Sequence, residues 1–207
     1  MLAQTEPRAD AAEGIVGTLS HPEGPALTVR TVTNADVEGL DALFQGLPSK
    51  DRYHRFFHFC HPARRFLEQL TRAADEGGYR LVPAVSGAGG ALVAEAGYAI
   101  LPDGDGEFAL TVAPGWQGWR LGRRLLGAVV AAAAARGVPN LQADIMADNT
   151  RMLALLRRHG YVTLARELSE MRIAIGAAQP ARRRQPGNAD RLGPLVPGTL
   201  ASCTPTA

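Results

Sequence analysis

The 207-residue chain is 46% apolar and 20% charged, with a formal net charge of +2, which suits one core-bearing domain with tails. A surplus that small argues against nucleic acid as a partner on charge alone. Cys60 and Cys203, the only two cysteines, lie far apart; this excludes a disulfide framework and points to a reducing, cytoplasmic setting.

Residues 1–24 are rich in Ala, Glu, Gly and Pro, show no periodicity, and are expected to form a disordered arm rather than a signal peptide. A domain over 25–176 follows. ALTVRTV (26–32) has the β-branched character of a short strand. Asn34 is placed to cap a helix with Val37, Leu40, Leu43 and Phe44 on one face. Helical periodicity returns in SKDRYHRFFHF (49–59) and ARRFLEQLTRAAD (63–75). Three strands then come in succession, RLVPAVSG, ALVAEAGYAIL and GEFALTVAP, joined by Gly-rich turns. A helix over 119–136 should stop at Gly137 and Pro139. It contains the longest apolar run, LLGAVVAAAAA (125–135), which is too short to span a bilayer, so no membrane partner is expected. LQADIMA is read as a strand, DNTRMLALLRRH as a helix stopped by Gly160, and YVTLA and LSEMRIAI as strands. The order predicts an α/β (α+β) fold, a mixed central β-sheet flanked by helices. Residues 177–207, rich in Pro and Gly, are expected to form a disordered tail. The Arg182–Arg183–Arg184 run there has no interleaved aromatics, which again argues against a nucleic-acid surface.

His54, His58, Cys60 and His61 fall close together, with His54 and His58 on one helical face. The surroundings are Tyr, Phe and Arg, and no second Cys/His cluster completes a tetrahedral set, so no metal site is expected. The stretch WQGWRLGRRLL (116–126) is more telling. A strand ends at Ala113–Pro114–Gly115, the chain turns, and a helix begins. A helix N-terminus leaves backbone N–H groups unpaired and carries positive partial charge, so residues 117–122 form a cradle suited to phosphate. Arg123 and Arg124 stand one turn in, placed for charge-assisted bonds.

The strand–turn–helix Gln117-Gly118-Trp119-Arg120-Leu121-Gly122, followed by Leu125-Leu126, resembles the acetyl-CoA-binding motif of the GNAT acyltransferases, Q/R-x-x-G-x-G/A before a Leu-Leu helix. Arg120 replaces the usual central glycine. A second segment, from Asn149 to Tyr161, is similar to the family's N-x-x-M/A-x-x-L-x-x-x-x-G-F/Y element. The family's acid tyrosine, seven residues after that asparagine, is Leu156 here, so no acid is expected there. Glu107 opens an E-F-A strand as in the branch that acylates protein lysines, and Ser49–Phe57 resembles that branch's helix on the acceptor side. The resemblance covers residues 27–175.

It implies the GNAT fold and an acetyl-CoA-dependent N-acetyltransferase acting on a small amine or a protein lysine. Gln117, Gly118, Trp119, Arg120, Leu121, Gly122 and Arg123 would hold the pyrophosphate. Val112 would meet the pantetheine amides, Asn149 would lie beside the cofactor arm, and Glu107 would be the general base. The alternative is an acyl-CoA-binding regulatory module with little turnover, motivated by Arg120 and Leu156. The acceptor and the oligomeric state are not readable from the sequence.

Overall fold

A computed structural model describes residues 15–21, 24–86, 90–157, 161–164 and 168–174. The β-branched and apolar segments pair into one eight-stranded sheet. Its strands are β1 (Ile15–His21), β2 (Gly24–Thr31), β3 (Tyr79–Val85), β4 (Ala94–Ile100), β5 (Gly106–Val112), β6 (Asn140–Met146), β7 (Tyr161–Leu164) and β8 (Leu168–Ala174), in the order β1-β2-β3-β4-β5-β6-β8-β7. Among the described residues five α-helices accompany them: α1 (Val37–Gln45), α2 (Ser49–Phe56), α3 (Arg64–Thr71), α4 (Leu121–Ala135) and α5 (Thr150–Leu156). Neighbouring strands are antiparallel except β5 and β6, which run parallel. A parallel pair needs a crossover, and α4 supplies it. The mixed sheet flanked by helices agrees with the expected fold class.

Each face of the sheet has its own core. Leu121, Leu125, Leu126, Val129 and Ala133 follow the helical repeat along α4 and share one apolar cluster with Leu81, Ala96, Phe108, Leu110 and Leu141. On the opposite face Leu40, Leu43 and Phe44 of α1 and Leu67 and Leu70 of α3 pack with Val82 and Ala84 of β3. Alternation along β5 splits its side chains between the two sides: Phe108 and Leu110 go to the α4 face, Glu107, Ala109 and Thr111 to the other.

Three local expectations need correction. Residues 15–21, expected within a disordered arm, form β1 and pair with β2 through two register irregularities. The remaining arm residues and the 177–207 tail lie outside the described residues. The cap before α1 is not Asn34. Thr33 precedes a short 3-10 turn, Asn34–Asp36, and its N–H donates to Asp36 Oδ2 at 2.7 Å; Asn34 instead accepts a hydrogen bond from Thr71. The helix read through residue 59 ends at Phe56, because Phe57 turns left-handed (φ 58°) and its N–H closes on Tyr53 O at 2.8 Å. The expected helix stop at Gly160 lies outside the described residues. Among the described residues no helix is long and apolar enough to cross a membrane.

Candidate functional site

The sheet opens along its one parallel joint. β5 and β6 pair only at Gly106↔Leu141 and Glu107↔Gln142. Each strand keeps full pairing with its outer neighbour, β4 or β8. Beyond Glu107 the two strands are therefore held apart, and a cleft opens between 108–112 and 143–146. Its two lips are the turn after β5, leading into α4, and the turn after β6, leading into α5.

The first lip is a cradle of backbone donors. After β5 comes a 3-10 turn, Pro114–Trp116, then Gly118 at φ 86° and Arg120 at φ 60°. The left-handed conformation at Arg120 explains why glycine suits this position, since any Cβ there is strained. The chain accepts that strain, and Arg120 becomes the N-cap of α4. The first backbone bond closing the helix is Arg124 N–H to Arg120 O, 3.2 Å. The N–H groups of Leu121, Gly122 and Arg123 thus have no intrahelical partner, and the helix dipole adds to their positive field. Arg120, Arg123 and Arg124 are exposed and line one depression with Gly127.

Of the other residues expected to hold the cofactor, Leu121 is 3% exposed, so its side chain belongs to the core and only its backbone faces the cradle. Trp119 turns its indole away toward the start of β2: a Cβ on Gly24 would come within 2.0 Å of the ring. Trp116 packs against it, with ring centroids 4.9 Å apart. Gly122 lies within the mouth, where a Cβ would touch Leu110, Leu155 and Val112 at 3.4 to 3.8 Å.

Gln117 joins the lips. Its Nε2 donates to Val112 O at 3.1 Å and to Asp51 Oδ2 of α2 at 3.2 Å, while its Oε1 accepts from Arg151 Nη1 of α5. The Val112 carbonyl expected to meet a pantetheine amide is therefore engaged already, although an oxygen with two lone pairs can accept a second donor. On the second lip Asn149 caps α5, its Oδ1 accepting from Met152 N–H at 3.2 Å. Asp148 beside it accepts from His54 Nε2 at 2.9 Å and Lys50 Nζ at 3.2 Å. These bonds hold the Asp148 carboxyl below its ordinary range. Helix α2 is thereby tied to both lips and spans the cleft mouth.

Glu107 lies at the vertex of the cleft, exposed, in the last pair of the β5–β6 joint. Ala109 follows it on the same face, and Ala99 and Gly97 lie across on β4, so its neighbours on β4 and β5 along this face are small. Two rows along the same face is a cluster that the sequence analysis missed. Glu95 is fully buried. It accepts from Arg55 Nε (3.0 Å), from Thr111 Oγ1 (3.0 Å) and from Arg80 Nη1. Burial alone would push the Glu95 carboxyl up, but the charges of Arg55 and Arg80 and the hydrogen bonds from Arg55 and Thr111 pull it down to about 2. Arg55 also lies over the Phe56 ring, 5.0 Å from its centroid. The one available signal was Glu95 itself, a lone carboxylate between alanines in an otherwise apolar strand.

The histidine group disperses. His54 meets Asp148 and His61 meets Arg52, and among the described residues no three His, Cys, Asp or Glu side chains gather as metal ligands.

Comparisons with known proteins fit this geometry. The model of the acetyltransferase (GNAT) family matches residues 48–161, more than half of the chain. No match is found among the sequences of curated proteins. The GNAT domain of S. lividans PAT superposes with a TM-score of 0.65 at 20% identity, covering 76% of this chain and 96% of that one. A GNAT superfamily phosphinothricin acetyltransferase from Sinorhizobium meliloti, in complex with AcCoA, gives 0.61 at 17% identity, covering 78% and 97%. A cAMP-binding acyltransferase from Mycobacterium smegmatis gives 0.54 at 25% identity; the match takes in 77% of this chain and 46% of that longer protein.

Proposed function

Because the chain belongs to the GNAT acetyltransferase family, we propose that it transfers the acetyl group of acetyl-CoA to a primary amine by direct attack on the thioester. The observation that carries this reading is the cleft between β5 and β6, which ends on one side at the start of α4, where the N-cap Arg120 makes no side-chain cap bond. An extended, amide-bearing cofactor arm fits a gap between two strands whose inner edges are unpaired. Its pyrophosphate would meet the N–H groups of Gly118 through Arg123, with Arg120 and Arg123 adding charge. Asn149, with its Oδ1 used in capping, has its Nδ2 for the arm.

In the proposed reaction the amine lone pair attacks the thioester carbonyl carbon. A backbone N–H of β5 stabilises the oxyanion, a large effect in acyl transfer. Glu107, directly or through one water, takes the proton leaving the amine. The C–S bond then breaks and the thiolate departs. Leu156 is fully buried in the α4-side core, so no side chain at that position protonates the sulfur. A thiolate is a fair leaving group and does not require one. Helix α2, across the mouth, would form part of the acceptor side. The acceptor in this reading is a small amine or a protein lysine, and the setting is cytoplasmic.

The test is to incubate the protein with acetyl-CoA and a panel of small amines and lysine peptides, following free thiol. Thiol release dependent on an amine is the expected result. Tight binding of acetyl-CoA with no release for any acceptor would support the regulatory module instead, the reading that Leu156 and Arg120 motivate.

A further inference from the structure

Building on the acetyl-CoA reading, we propose that Arg151 is a phosphate-binding residue of the cofactor site. Its guanidinium exchanges the Gln117 carbonyl for a cofactor phosphate oxygen.

Three observations place it there. Arg151 Nη1 donates to Gln117 Oε1, so the guanidinium already reaches from α5 to the cradle loop across the cleft mouth. Leu155, one turn further along α5, shares the Arg151 face, since residues four apart stack on one side of a helix. A Cβ on Gly122 would lie 3.6 Å from Leu155 Cδ2. That face of α5 therefore covers the first turn of α4, where the unpaired N–H groups are.

The chemistry of the present contact points the same way. Gln117 gives its Nε2 to Val112 O and to Asp51 Oδ2. This orients the amide with its oxygen toward Arg151. Arg151 is exposed, and its acceptor is that neutral amide oxygen. A guanidinium has five donors in a planar fork matched to phosphate, and a phosphate oxygen adds its own charge and a bidentate geometry that a single amide oxygen lacks. Arg120, Arg123 and Arg124 flank the cradle from α4. Arg151 would close it from the opposite lip, so that a phosphate is gripped from both sides of the cleft. Gln117, released from Arg151, would keep its bond to Asp51.

The test uses CoA, which needs no acceptor. Calorimetric affinities are measured at low and high salt for wild type, Arg151→Gln and Arg151→Lys. Arg151→Gln should bind CoA about tenfold more weakly at low salt. The gap should narrow at high salt, where exposed charges are screened. Arg151→Lys should recover part of the loss. An affinity of Arg151→Gln equal to wild type overturns the assignment. So does a loss that is the same at both salt concentrations and not relieved by lysine, because that would mark a merely structural contact. A wild-type protein that does not bind CoA overturns the acetyl-CoA reading itself, a result distinct from either.

Discussion

The two faces of the sheet bury different kinds of side chain. Under α4 an apolar cluster holds Leu125, Leu126, Val129 and Ala133 against Phe108 and Leu110. Under α1 to α3 the core includes Glu95, Arg80 and Arg55, with Thr111 completing the hydrogen bonds. Apolar packing stabilises without specifying much about direction. A buried ion cluster adds little stability over apolar groups of the same volume, yet each of its bonds fixes an orientation. The apolar face thus anchors the helix whose start forms the cradle. The charged face fixes α2, which spans the mouth of the cleft, against β4 and β5 two rows from Glu107.

The sharpest way to break this division of labour is at Glu107. Glu107→Gln keeps the shape and removes the basicity, so kcat/KM with any active acceptor should fall about 10²–10⁴-fold. Acetyl-CoA affinity should stay near wild type, as the carboxylate is distant from the cradle. Wild-type rates with an unchanged pH profile would leave the charged face without a chemical role.

Glu95→Ala should cost about 3–5 kcal/mol of stability, because it leaves the buried Arg80 guanidinium and the partly buried Arg55 guanidinium without their carboxylate. Chemical denaturation measures this. The pH dependence has a definite sign. The Glu95 carboxyl sits at about 2 in the folded protein, below its ordinary 4.5. Its contribution is therefore complete above about pH 4.5 and is lost as the pH falls toward 2. Melting temperatures of wild type should drop more steeply over that window than those of Glu95→Gln. Parallel curves would show that the cluster is not a source of acid sensitivity.

On the other face, Leu126→Ala should cost about 3 kcal/mol through lost transfer energy and a residual cavity. Its melting temperature should follow the wild-type pH profile, since no charge is disturbed. A change in that profile would blur the contrast between the faces.

Most elements were legible because their periodicity was strong. The α4 stripe, the strand runs of β3 to β5 set off by Gly-rich turns and the strand–turn–helix at 107–126 all announce themselves locally. The missing pieces depend on partners distant in sequence. IVGTLSH is interrupted by Gly17 and follows an arm without periodicity, and its strand is defined by pairing with β2 at the edge of the sheet. The bonds from Arg55 and Arg80 to Glu95 join three elements, and nothing in any one of them names the other two. Within the candidate site, Glu107 and the cradle residues stand out as candidates from their motif, and their roles belong to the proposal above. The Gln117 bridge and the α2 span do not, because side-chain amides and carboxylates can pair in too many ways for spacing to decide.

The smallest expected effect concerns the left-handed residue at the start of α4. Arg120→Gly should raise stability by about 1 kcal/mol, as relief of a strained φ outweighs the added freedom of the unfolded chain. A loss of stability instead would mean that the arginine side chain compensates for its own backbone.

The packing of Trp119 on Gly24 and of Trp116 on Trp119 has a spectroscopic consequence. These are the only two tryptophans in the chain. All indole emission therefore arises from the loop that would receive the pyrophosphate, within contact of Gly24 at the start of β2. A ligand that reorders residues 117–122 alters the surroundings of every indole fluorophore the protein has. Intrinsic fluorescence, with no label attached, then becomes a local reporter of that loop, and its quenching or shift on titration follows occupancy of the cradle without background from the rest of the fold.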